Sequence, residues 1–292
     1  MEIAKSIMVS FVLWTSIVSV PLILTYRDVY KQWINEEWYD SKPEWRSPVG
    51  LILGISAVIV GEICTITYFY LWKKRYFLSN VIYIQKNCIV DYNIVEGIIT
   101  HFVQPEGFVM IGGYLSMTWM FGLLPESYYS FHGGIDWVHV AMQLLIQDVV
   151  QYHMHLFEHS SIYIKFYEIS HKPHHRFTNP KIFDAFQGSI VDTFFMILVP
   201  LFATSRLVNA NVWSYMAFGS LYANWLTLIH SEYSHPWDPL FTFIGFGTSG
   251  DHHVHHKLFK YNFGHLFMYW DMLYGSYKSP TDVSLFNIKI NK

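Results

Sequence analysis

The chain has 292 residues, of which 52% are hydrophobic, 19% aromatic and only 14% charged. A soluble domain carries about 25% charged residues, so this composition excludes an ordinary water-facing surface. The net charge of −3, with no basic stripe, excludes a nucleic-acid partner.

Residues 6–26 carry no charge up to Tyr26 and are long enough for a membrane span, which needs about 20 residues. The run is too long for a signal-peptide core and lacks a cleavage site, so it reads as a retained helix. Residues 49–72 form a second apolar run, interrupted only by Glu62, and 108–124 a third. Residues 135–150 are apolar but contain Asp136, His139, Gln143, Gln147 and Asp148. A helix there must turn its polar face into the protein rather than toward lipid. Residues 190–204, with Pro200, and 212–229 complete the set. The four shorter runs pair as two hairpins through loops at 125–134 and 205–211.

The predicted fold is all-α, with four to six transmembrane helices and a cytosolic helical cap holding a histidine-rich di-metal site. Lys73, Lys74 and Arg75 follow the second run, which makes that end cytosolic. Each hairpin returns the chain to the side it left, so the histidine clusters also fall there. The chain divides into N-terminal spans (1–134), a catalytic region (135–280) and a C-terminal tail (281–292), all within one integrated domain. The two cysteines, Cys64 and Cys88, form neither a disulfide framework nor a thiolate site.

Sixteen histidines are the outlier of the composition. Three spacings concentrate eight of them: His155 and His159 as HxxxH, His171, His174 and His175 as HxxHH, and His252, His255 and His256 as a second HxxHH. Residues three and four apart share a helix face, so HxxxH offers two imidazoles to one point. Pro173 belongs at the start of a helix rather than inside one, which places His171 before it. Asp148, Tyr152, His155 and His159 form one stripe, where Asp148 and Tyr152 are candidates to orient a ligand. Single histidines such as His101, His132 and His265 read as ordinary surface or core residues, and His153 points off the stripe.

So many neutral imidazoles on one side of a membrane require metal, and their number suggests two ions. Imidazole suits iron, zinc, copper and nickel, so spacing alone leaves the metal open. A structural zinc site usually includes cysteine, and none accompanies these histidines.

At these motifs the sequence resembles the fatty acid hydroxylase superfamily, which includes sterol desaturases and sterol methyl oxidases, over roughly residues 135–280. The stretch from Asp251 through Tyr261, Asn262, Gly264, Phe267, Trp270, Asp271, Gly275, Ser276, Lys278 and Pro280 is most similar to the lathosterol oxidase (sterol C5-desaturase) group. Residues 230–237 are similar to a segment of C4-methyl sterol oxidases. The resemblance makes His230 a ninth ligand and His235 a weaker tenth, with Asp271 among the supporting residues. It implies two iron ions (zinc in some forms) and oxidation of a lipid by O₂. A sterol is the favoured substrate, with electrons from cytochrome b5 and its NADH-dependent reductase. It also implies a multi-pass protein of the endoplasmic reticulum membrane. The implied reaction is C5(6)-desaturation; the alternatives are C4-methyl oxidation, fatty acyl hydroxylation, or a non-enzymatic lipid-binding or metal-transporting role. Two positions depart from the family pattern. His153 and Leu156 replace Trp and Arg around the first motif, and Gly188–Ile190 replaces a His-Pro pair after the second. Trp225, Phe263, Phe267 and Trp270 are candidates to line a lipid slot.

Overall fold

The structure, a computed structural model, describes residues 48–74, 82–86 and 92–288. The predicted helix at 6–26, together with Arg75 and Cys88, lies outside the described residues.

Long helices dominate. Helix α1 is Pro48–Lys73, α2 Ile94–Val103, α3 Met110–Met120 and α4 Trp137–Glu158. After the short α5 (Ile164–Ile169) come α6 (190–207, with a π turn at Phe194–Leu198) and α7 (Val212–Ile229). The last three are α8 (Asp238–Phe243), α9 (Ser249–Leu258) and α10 (Tyr269–Tyr274). Two-residue strands β1 (Ile82–Tyr83) and β2 (Tyr233–Ser234) pair antiparallel, Ile82 opposite Ser234.

Side-chain caps set several helix starts. Asn93, Asp136, Ser189 and Asn211 accept from the first free main-chain N–H groups of α2, α4, α6 and α7. Thr248 and Asp251 form a reciprocal capping box at α9.

Among the described residues, α1 and α6 are long and apolar enough to cross a membrane. The expectation of more spans meets two physical limits. The 108–124 run starts just after a kink at Gly107, which has non-helical dihedrals, and its α-helix, α3, is only 11 residues long. Helix α7 has the length but is buried along nearly all its faces, with Ser214, Ser220, Asn224 and Thr227 inside. It is the central core helix, packed most extensively against α1.

Helix α4 has the expected inside-out pattern. Gln143, Gln147, Asp148 and Gln151 are buried, whereas Val138, Met142 and Leu145 are exposed. The exposed side is an apolar stripe, as a lipid-facing helix requires.

The two hairpin loops clasp each other at one end of the molecule. Tyr128 donates to Val208 O (2.6 Å), Trp213 to Phe131 O (3.0 Å) and Asn211 to Gly134 O (2.8 Å). Helices α4 and α7 both start there and both end at the histidines. The C-terminal segment is not a loose tail through residue 288: Val283 and Phe286 are buried with Ile84 and Val254.

Candidate metal centre and lipid slot

The nine histidines named from the sequence fall into two groups, all buried except the half-buried His159. His155, His159, His171, His175 and His255 form one; His174, His230, His252 and His256 form the other. Within each group the nearest ligand atoms lie within 4.8 Å of one another. Each HxxHH is split between the groups. His171 and His175 face the first and His174 the second, while His255 faces the first and His252 and His256 the second. The second HxxHH sits on α9, but the first does not sit on a regular helix. A turn leads from His171 into a single 3₁₀ turn, His174–Arg176, started by Pro173.

Proton placement makes these groups cation sites. Five of the rings point Nδ1 at an acceptor: His155 at Phe263 O, His174 at Gln187 O, His230 at Leu226 O, His255 at Tyr261 O, and His171 at Asp192 Oδ1. These contacts span 2.7–2.9 Å and place the proton of each neutral ring on Nδ1, leaving Nε2 a bare lone pair. Yet His155 Nε2 lies 2.9 Å from His171 Nε2, and His174 Nε2 lies 3.4 Å from His230 Nε2. Two facing lone pairs repel unless a cation lies between them. One such pair belongs to each group. Burial lowers the pKa values of all nine, to about 2 for His159, about 3 for His171 and about 4 for His174, so the rings are neutral donors at ordinary pH. The residues present therefore fit two ions.

His235 lies apart from both groups. Its ring stacks parallel to Trp237, Nδ1 meets Tyr68 Oη at 3.0 Å and Nε2 meets Ser231 Oγ at 2.8 Å. With both nitrogens engaged in an aromatic box, it has no lone pair to give.

The three proposed supporting residues act further out. Asp148 accepts from Leu266 N (2.7 Å), Phe267 N (3.2 Å) and Trp270 Nε1 (3.0 Å) rather than from a histidine. It lies two helical turns, about 10 Å, before His155, beyond direct reach. Asp271 accepts from Phe263 N, Gly264 N and Ser276 Oγ, fixing the loop whose Phe263 carbonyl holds His155. Gly264 is required in that loop, since a Cβ would stand 2.4 Å from Phe267 O. Tyr152 meets Ser276 Oγ at 3.2 Å and stacks on Tyr274.

Sequence reasoning missed Asp192 and Glu158. Asp192 Oδ1 is 2.8 Å from His171 Nδ1 and Glu158 Oε2 is 3.5 Å from it. Burial and the neighbouring Asp192 raise the Glu158 carboxyl to about 9. The signal available was the inward polar stripe of α4, which continues to Glu158. His265 was also passed over. Its ring centroid lies 5.0 Å from His155 and 5.3 Å from His252, between the two groups.

A chamber of about 400 Å³, with Gln151, His171, His174, Asp192, His230 and His265 on one part of its wall and apolar side chains on the rest, opens beside the histidines. Phe186, Ile197 and Leu226 line both this chamber and an apolar slot of about 840 Å³. The slot runs between α1, α3, α6 and α7 toward Trp119 and Tyr215. None of Trp225, Phe263, Phe267 and Trp270 lines it. Trp225 packs on Phe241 and Phe246, and Phe263 packs on the histidine rings.

A helical protein that gathers eight buried and one half-buried imidazole into two groups beside an apolar slot has the core of a histidine-rich metal-binding protein. The comparisons with known proteins fix the family. The fatty acid hydroxylase family profile matches residues 140–276. The chain is 51% identical to an alternative squalene epoxidase of Phaeodactylum tricornutum, over 92% of this chain and 79% of that protein. It is 28% identical to a Delta(7)-sterol 5(6)-desaturase of Candida glabrata over 60% of this chain and 48% of that one. It is 30% identical to the lathosterol oxidase of Rattus norvegicus over 50% of this chain and 48% of that one. No solved structure matches. The chain belongs to the fatty acid hydroxylase family, a family of oxidoreductases that includes sterol desaturases.

Proposed function

We propose that this protein is a membrane-bound di-iron oxygenase that epoxidises the terminal alkene of a long isoprenoid hydrocarbon of the squalene type. The observation that carries this reading is the end-on geometry of the slot. Along α7 its wall runs from Leu226, shared with the histidine chamber, to Tyr215. Eleven residues of helix span about 17 Å. A flexible chain entering this slot presents its tip to the histidines. The 51% identity to the diatom squalene epoxidase supports the same substrate.

Overall, one oxygen atom of O₂ enters the alkene and the other leaves as water, with two electrons and two protons consumed. When bound, the iron pair supplies the chemistry of O₂ reduction, which no side chain here provides. The protein's own groups do the rest. The nine histidines hold the ions. Carbonyls at Phe263, Gln187, Leu226 and Tyr261 fix four of their rings, and the apolar slot excludes water while orienting the chain. Gln151 is held by the Tyr222 hydroxyl at the mouth of the slot, so the chamber keeps its shape.

Electrons come from a separate donor, cytochrome b5 with its NADH-dependent reductase, approaching the histidine end. The exposed Lys172, Arg176 and Lys260 there suit an acidic partner. The protein is assigned to the endoplasmic reticulum membrane with this end in the cytosol.

The second reading is sterol C5(6)-desaturation, favoured by the sterol desaturase relatives and by residues 251–280. Expression in a yeast lacking its own squalene epoxidase, with lipid analysis by mass spectrometry, separates the two. A 2,3-epoxide and restored growth are expected. An iron-loaded protein that leaves squalene untouched but restores sterols in a C5-desaturase-deficient host would overturn the epoxidase reading.

A further inference from the structure

Three glutamines recur at every fourth residue along the buried face of α4: Gln143, Gln147 and Gln151. Residues so spaced share one helix face, yet their amides meet different surroundings. Gln143 Nε2 donates to Tyr128 Oη at 3.3 Å. Gln147 accepts from Thr204 Oγ1 at 3.1 Å, and its Nε2 is closed inside the protein. Gln151 is the one of the three that lines the histidine chamber.

The Gln151 amide is held by one end. Tyr222, whose ring stacks on Phe218, donates its hydroxyl to Gln151 Oε1. That bond sets which way the amide points and leaves the Nε2 end outward. Nε2 has no acceptor among the described residues. It keeps accessible surface, which Gln147 Nε2 does not, although Gln151 as a whole is only 1% exposed. The open N–H group therefore faces the chamber that Gln151 lines. The neighbouring polar groups on that wall are committed. His171 turns Nδ1 to Asp192, His174 to Gln187 O and His230 to Leu226 O, with their Nε2 atoms turned to the metal groups. Thr193 donates to Glu106 O. His265 Nε2 is donor or acceptor according to where its ring proton sits, so the Gln151 amide is the fixed donor of the chamber.

A hydrocarbon offers this donor nothing, and a buried donor left unmet gains from any ligand that brings an acceptor. The acceptor that the proposed reaction creates in the chamber is the oxygen inserted at the alkene tip. We infer that Gln151 Nε2 binds the oxygen of the epoxide product. The inference rests on the proposed epoxidation and adds a consequence for it. The chamber holds the oxidised tip more tightly than the alkene from which it forms, so the product competes with the next hydrocarbon.

The test compares squalene with its 2,3-epoxide as ligands of the purified, iron-loaded protein in detergent, without reductant and hence without turnover. Affinities are read from the ligand-induced thermal shift. The wild type is expected to bind the epoxide about fivefold more tightly, the yield of one net hydrogen bond. Gln151→Leu removes the amide and is expected to abolish the preference at unchanged iron content. The double variant Gln151→Leu/Tyr222→Phe, which leaves no unpaired hydroxyl behind, is expected to do the same and serves if the single variant loses iron. Equal affinities in the wild type overturn the inference, whatever the variants do. So does a preference that survives in an iron-loaded variant. A wild type that prefers the epoxide but does not form it from squalene would sink the proposed reaction and leave this site standing.

Discussion

Asp192 accepts the Nδ1–H of His171 at 2.8 Å, whereas His155, His174, His230 and His255 donate to main-chain carbonyls. A carboxylate pulls harder on that proton than a carbonyl does, which makes the His171 Nε2 lone pair a stronger donor. Asp192→Asn keeps the shape and removes the charge. Iron affinity is expected to fall about 10–100-fold, measured as iron retained against a chelator titration, with the helical circular dichroism unchanged. Gly188→Ala should act in the same direction, because its Cβ would stand 2.2 Å from Asp192 Oδ2 and displace the carboxylate. Wild-type iron retention in Asp192→Asn would remove this role from the aspartate.

The division of the histidines makes a separate prediction about stoichiometry. His155 belongs to the first group and His252 to the second, although motif order alone gives no reason for the split. His155→Ala and His252→Ala are each expected to lose about one of two bound irons and to reduce activity on the order of 100-fold or more. Metal analysis of the purified variants checks this. Loss of both ions from each variant would mean that the groups do not load independently.

Local chemistry made the ligands legible in the sequence. HxxxH and HxxHH spacings are short-range, and the inward polar stripe of α4 follows from Gln143, Gln147 and Asp148 in an apolar run. What could not be read depended on contacts between distant segments. Asp192 reaches His171 across 21 positions, and Asp148 reaches the 266–270 loop across more than a hundred. The family resemblance offers His235 as a weaker tenth ligand, but Tyr68, from a helix 167 positions away, claims one of its nitrogens. The apolar slot was not legible for a similar reason. Its wall is built from α1, α3, α6 and α7 rather than from the aromatics nearest the motifs.

His235 supplies a pH prediction. Burial depresses its pKa to about 3, well below the ordinary histidine value of about 6.5. The unfolded chain takes up this proton as pH falls below about 6.5, while the folded protein resists it until about pH 3. Stability contributed by the neutral ring is therefore complete above pH 6.5 and lost as pH falls toward 3, by up to about 1.4 kcal/mol per pH unit. His235→Gln cannot titrate. Its midpoint of thermal unfolding in detergent should fall less steeply than that of the wild type between pH 6 and pH 4. Parallel pH profiles for the two proteins would contradict a buried neutral His235.

Gly219 tests the slot itself. It lies on the α7 wall between Tyr215 and Leu226, and a Cβ there would meet nothing within 4 Å. Gly219→Ala should accordingly be close to neutral. Gly219→Leu instead places a branched side chain in the path of the substrate, at a cost to a bound chain of about 1–3 kcal/mol. That corresponds to a fall in kcat/KM for squalene of about fivefold to 150-fold. Iron content should stay at the wild-type level, because the change is about 17 Å of helix from His230. A short isoprenoid alkene that ends before residue 219 should be turned over as by the wild type. Undiminished squalene oxidation by Gly219→Leu would show that the substrate reaches the histidines by another route.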